Sequence, residues 1–199
     1  RVVSMRGIRY RGCLLGLLAY YFTDATWGIL AGLGWTRLLY VDTVFFFLSL
    51  VVFVFMWGDF VIAYLGFGKR AAGVLRWFGF GIFAFNIVEL VINLFDDVFF
   101  SFDAQGVYHT GVVRDVAFGF LVAYILLIAV MVLMKSLHSR DAVYRRSMIV
   151  FLSSIVMAAA VALQVFWPLT PFTALGCLVG TCFLHVFVVQ DEQTEKHTA

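Results

Sequence analysis

The sequence predicts an all-α integral membrane protein: a bundle of six transmembrane helices with a short extracellular β-hairpin. Three observations carry this. Of 199 residues, 63% are hydrophobic and only 13% are charged, against about 25% charged in a soluble domain. The apolar residues come in runs long enough to cross a hydrocarbon core, which takes about 20 helical residues. Basic residues gather on every second connection between runs, as they do when successive spans alternate in direction.

Taken in order, the runs are residues 12–33, 43–66, 74–95, 115–137, 146–167 and 171–190, the last opened by Pro171, which suits a first helical turn. β-Branched and aromatic residues are common in them, but in lipid each backbone must satisfy its own hydrogen bonds, so helices win over open strands. The runs lack the alternation of a transmembrane β-barrel. Arg1, Arg6, Arg9 and Arg11 precede the first span; Lys69, Arg70 and Arg76 follow the second; Lys135, Arg140, Arg145 and Arg146 follow the fourth. The opposite side has only Arg37 and Arg114 against Asp96, Asp97 and Asp103. Both termini are therefore expected in the cytoplasm and the 96–114 connection outside. Residues 1–190 read as the bundle, and residues 191–199 as the start of a cytoplasmic linker. The chain begins at Arg1 rather than Met, which reads as a fragment, and it has no signal-peptide pattern.

The 96–114 connection contains VFFSF and VYH, both β-prone, around Asp103-Ala-Gln-Gly106, a turn with glycine where positive φ is expected. A two-stranded hairpin is marginal alone, so it must rest on the helix ends as a lid.

Ionisable and amide groups within spans mark either function or a packing network. Asp24 and Trp27 lie in the first span. Asn86, Glu89 and Asn93 are spaced i, i+3, i+7 and so share a face of the third helix. Tyr108 belongs to the hairpin, Arg114 to the outer start of the fourth span, and Gln164 and Trp167 to the outer end of the fifth. These nine side chains are the candidate ligand-binding set. Asp59 and His185 sit nearer the cytoplasm, where pairing with each other or with the basic flanks is expected. Trp35, Tyr40, Tyr64 and Trp77 read as interfacial anchors.

Several classes are excluded. A net charge of +2 is too small to suggest nucleic acid. No HExxH, GxSxG or P-loop sequence is present, so no catalytic residues are assigned. The histidines are scattered, and Cys13, Cys177 and Cys182 form no CxxC pair, so no metal site or cofactor is expected. A retinal Schiff base would need a lysine in the last span, and residues 171–190 have none; Lys69, Lys135 and Lys196 all lie in flanks.

Two stretches carry a resemblance: Asp24-Ala-Thr-Trp27-Gly28 before an aromatic second span, and Phe102-Asp103-Ala-Gln-Gly106-Val-Tyr108-His-Thr-Gly111 with the helix after it. With Leu163-Gln164 and the small-residue-rich last span, they resemble the N-terminal membrane sensor regions of bacterial signalling proteins, which precede diguanylate cyclase (GGDEF) or histidine kinase output domains. The resemblance implies a seventh helix before the equivalent of Arg1 and a catalytic output domain C-terminal to this segment; the module is expected to work as a homodimer. The expectation is a membrane sensor or receptor module, not itself an enzyme. It sits in the cell (inner) membrane, binds a small extracellular or membrane-borne molecule, and has the lipid bilayer as its other partner. The competing expectation is the substrate-binding membrane subunit of a vitamin-type transporter.

Overall fold

A computed structural model describes residues 5–137 and 141–197, with side chains over 7–137 and 143–186. Six helices and one hairpin follow in order: α1 (Met5–Leu33), α2 (Thr36–Leu65), α3 (Lys69–Ile92), β1 (Phe100–Phe102), β2 (Tyr108–Thr110), α4 (Val112–Leu137), α5 (Asp141–Phe166) and α6 (Phe172–His197). Among the described residues, five helical segments are long and apolar enough to cross a membrane: Gly7–Leu33, Thr36–Leu65, Lys69–Ile92, Val112–Leu137 and Val143–Phe166. The protein is a multi-pass helical membrane protein. The described apolar part of α6, Phe172–Val186, is shorter. Arg1, His138 and Arg140 lie outside the described residues.

The helices overrun the hydrophobic runs because the polar flanks are themselves helix-compatible. Thus α1 starts at Met5 rather than near residue 12, and α2 starts at Thr36 rather than 43. The opposite happens in α3, expected to reach residue 95: it stops at Ile92, and Asn93 caps it. The end of α2 follows local chemistry. Gly66 adopts φ 62°, ψ 57° and its N–H bonds the Ile62 carbonyl, which the Phe67 N–H also reaches. This left-handed stop costs a glycine nothing sterically.

The chain forms two compact units, residues 1–121 and 122–199. In the first, α1 and α2 pack as an antiparallel pair. Gly16 lets the backbones close: a Cβ there would lie 3.3 Å from Phe53 Cα. Tyr20, Leu50, Phe53, Trp57 and Phe60 fill the interior. At the end away from the hairpin, Asp59 accepts from Arg9 of α1 at 2.7 Å and from Arg76 of α3 at 3.1 Å. The basic flanks therefore hold Asp59. Midway, the Thr23 and Ser49 hydroxyls meet at 3.1 Å. Of the four expected anchors, Trp35 and Trp77 are exposed, but Tyr64 is buried and stacks on Phe60.

The hairpin is anchored in the interior rather than resting on it. β1 and β2 pair antiparallel, Phe100 opposite Thr110 and Phe102 opposite Tyr108. Phe99 and Phe100 are completely buried. Phe47 of α2 packs edge-on against Phe99 at 4.8 Å and Phe118 at 6.1 Å, and Tyr40 packs on Phe100 at 5.0 Å. A hairpin too small to fold alone is stable here because its first strand contributes core aromatics.

In the second unit, α5 and α6 pack through small residues. A Cβ at Gly176 would overlap the Ala160 methyl group, and one at Gly180 would press on Met157 Cγ at 3.2 Å. Close approach of backbones through small residues is how helices gain contact in lipid, where apolar burial gives no driving force. Cys177 is buried in this packing. The helix α6 runs unbroken through the expected boundary at residue 190 as far as His197.

Candidate functional site at the hairpin end

The described polar groups of the first unit concentrate where α1 meets α2 under the hairpin. On α1, Thr26 donates to Asp42 Oδ1 of α2 at 2.7 Å. The Trp27 indole N–H donates to the Thr43 hydroxyl at 3.0 Å, and the ring meets Tyr108 of β2 edge-on at 6.1 Å. Asp24, one turn earlier on α1, is half-buried and near enough to Asp42 for their charges to act on each other. The second oxygen of Asp42, Oδ2, is fully buried with no hydrogen-bond partner.

From the other side, Tyr108 is hydrogen-bonded to Arg114 at the start of α4. Arg114 is only 2% exposed. Its guanidinium donates to Asp115 Oδ1 at 2.7 and 3.0 Å and lies 5.3 Å from the centre of the Phe118 ring. Its charge is thus compensated in place. Burial pushes the Tyr108 phenol above its ordinary pKa, against the opposing pull of Arg114.

The turn is held by its own acid. Asp103 Oδ1 accepts from the Gln105 and Val107 N–H groups at 3.0 and 2.8 Å, and Oδ2 meets His109 Nε2 at 3.1 Å. These bonds, the one from Val107 foremost, hold the Asp103 carboxyl below its ordinary pKa. Gly106 has φ 78°, and a Cβ there would come within 2.8 Å of Thr36 Oγ1, so the turn sits tightly on the start of α2.

The candidate residues do not share one environment. Trp27, Tyr108 and Arg114 form a connected set. Asn93 is spent on the fold: Oδ1 accepts from the Phe99 and Phe100 N–H groups at 2.7 and 3.1 Å, and Nδ2 donates to the Phe100 carbonyl and the Tyr40 hydroxyl at 3.1 and 3.3 Å. Both amide hydrogens and both acceptor directions are used. Asn86, 2% exposed, donates back to the Ile82 carbonyl of its own helix. Glu89 is half-buried, and its carboxylate has no hydrogen bond or ion pair among the described residues.

In the second unit, Gln164 closes the α5–α6 connection. It donates to the Pro168 carbonyl at 2.8 Å and accepts from the Thr173 N–H at 3.1 Å. Trp167 is 54% exposed and packs against Phe166 and Phe172.

Sequence reasoning passed over Asp42, Tyr40 and Thr43 as site residues. With the second span drawn from residue 43, Asp42 fell just outside it. A helix that starts at Thr36 places it within the span. The signal available was the spacing of Asp42 and Thr43 after the turn at Gly34, which folds them back beside Thr26 and Trp27.

No protein-family model, no curated protein and no solved structure matches this chain.

Proposed function

We propose that the chain is a membrane sensor module. In this reading it spans the inner membrane six times, with both termini cytoplasmic and the hairpin extracellular. It binds a small molecule at the hairpin end and relays occupancy through α6 to an output domain that comes after it. The observation that carries the reading is the junction at Tyr108. This one side chain touches Trp27 of α1 and is bonded to Arg114 of α4, and the carboxylates of Asp24 and Asp42 have no ion pair among the described residues. A ligand there contacts two helices and the hairpin together, and so binds their alternative arrangements with different affinity, as a relay requires.

Two further features support the reading. The helix α6 continues from its apolar part into the polar QDEQTEKH sequence without a break, which suits a signalling helix. Gly28 and Gly32 share one exposed face of α1, with open space where their Cβ atoms would lie, which suits a homodimer. The resemblance to bacterial sensor regions points the same way.

Sequencing the coding region past Ala199 tests this directly. An in-frame helix and cyclase or kinase domain are expected. A stop codon soon after Ala199 would contradict the relay and favour the transporter subunit, which needs no output domain. Impermeant maleimide on intact cells tests orientation, with a cysteine at Gln105 expected to label.

A further inference from the structure

The site at the hairpin end has a charge pattern that selects among ligands, and the ligand class inferred for it rests on the sensor reading of that same site. Asp24 and Asp42 are two carboxylates within electrostatic reach of each other. Neither has an ion pair among the described residues. Thr26 satisfies one oxygen of Asp42, and the other is buried without a partner. A buried carboxylate oxygen lacking both a hydrogen bond and a counter-charge is strongly unfavourable. The cation bonded to Tyr108, Arg114, is already held by Asp115 and Phe118. It is therefore not the missing charge.

The aromatic groups beside the acids narrow the choice. Trp27 shares a face of α1 with Asp24, and its ring is fixed from two directions, by Thr43 at the indole N–H and by Tyr108 at the edge. Fixed aromatic rings next to carboxylates form the setting in which organic cations bind, through ring quadrupoles and charge together. Divalent calcium, by contrast, takes about six to eight oxygen ligands, and the acids here are two. An anion would meet Asp24 and Asp42 with Arg114 already neutralised.

The geometry points to an organic monocation site, for an amine or quaternary ammonium compound, formed by Asp24, Asp42, Trp27 and Tyr108.

The test is thermal unfolding of the purified protein in detergent micelles with tetramethylammonium chloride. Sodium chloride at equal ionic strength and neopentyl alcohol, an uncharged compound of similar shape, are the comparisons. Tetramethylammonium is expected to raise the midpoint saturably and the other two not to do so. Asp42→Asn and Asp24→Asn are each expected to weaken the effect tenfold or more. Asp42→Asn is also expected to unfold no earlier than the native protein without cation, because it removes a charge that has no ion pair among the described residues and one buried oxygen without a hydrogen bond; Asp24→Asn keeps the test intact if Asp42→Asn fails to fold. Equal shifts with sodium, or shifts unchanged in both variants, would overturn the site. A shift that depends on Trp27 but is as large with neopentyl alcohol would overturn the cation class and leave a ligand site at the junction. No Trp27-dependent shift with these probes or with any of a broad metabolite panel would overturn both.

Discussion

The Asn93 side chain grips the Phe100 peptide from both ends, its Oδ1 accepting the Phe100 N–H and its Nδ2 donating to the Phe100 carbonyl, each at 3.1 Å. A carboxamide does for this strand what a neighbouring strand does in a sheet. The third helix thereby fixes the first hairpin strand, while Tyr40 donates to the Asn93 backbone carbonyl at 2.7 Å and binds α2 into the same knot.

Replacing Asn93 leaves buried peptide groups without partners. Asn93→Ala is expected to cost about 2–4 kcal/mol, since each orphaned buried group costs about 1–3. Asn93→Asp keeps the two acceptor bonds but loses both donors. Reversible unfolding in mixed micelles, titrated with a denaturing detergent, measures both. A loss below about 1 kcal/mol in Asn93→Ala would mean that the hairpin holds itself.

At the other end of the first unit, Asp59 joins three helices through Arg9 and Arg76. The groups are part-exposed, so Asp59→Asn is expected to cost only about 1 kcal/mol. Arg9→Gln should cost more than Arg76→Gln, because the Arg76 side chain is 48% exposed and that of Arg9 only 24%. The same unfolding assay ranks them.

The turn carries a pH dependence of known sign. The Asp103 carboxyl is held below its ordinary value by the Val107 and His109 bonds. Its contribution to hairpin order is therefore fully present above the ordinary carboxylate range, about pH 4. That contribution disappears as pH falls through the lower folded-state value. The Val107 amide resonance is expected to titrate below about pH 4 and to lose that step in Asp103→Asn. A midpoint at or above the ordinary value would contradict the bonding.

In the second unit, Gly176→Val places a side chain where Ala160 already sits. Overpacking of this kind costs about 1–3 kcal/mol. Gly119→Val, in open space on α4, is expected to have much less effect on thermal stability.

The hydrophobic runs made the helices legible, because a lipid-facing segment needs about 20 apolar residues whatever its neighbours. That Asp59 would find a partner was legible from its depth, but the sequence left His185 and the basic flanks equally open, and the structure gives it Arg9 and Arg76. The roles of Asn93 and Gln164 were not legible. Each is a polar residue near a helix end, and only the path of the following chain shows that its amide bonds backbone rather than facing a ligand. Asp42 was hidden by a span boundary drawn from hydropathy, which marks where the chain becomes apolar, not where the helix begins. Trp27 and Tyr108 belong to the first helix and the hairpin, far apart in sequence, and nothing local to either announces their contact.

A ligand received at the hairpin-end junction must lie against Trp27, so Trp27→Ala is the decisive variant. The thermal unfolding midpoints of native and Trp27→Ala protein are compared across a panel of small molecules, after confirming that both insert in the membrane. At least one compound is expected to raise the native midpoint and to leave that of Trp27→Ala unmoved. Equal shifts in the two proteins would place the binding site elsewhere and contradict a ligand site at the junction.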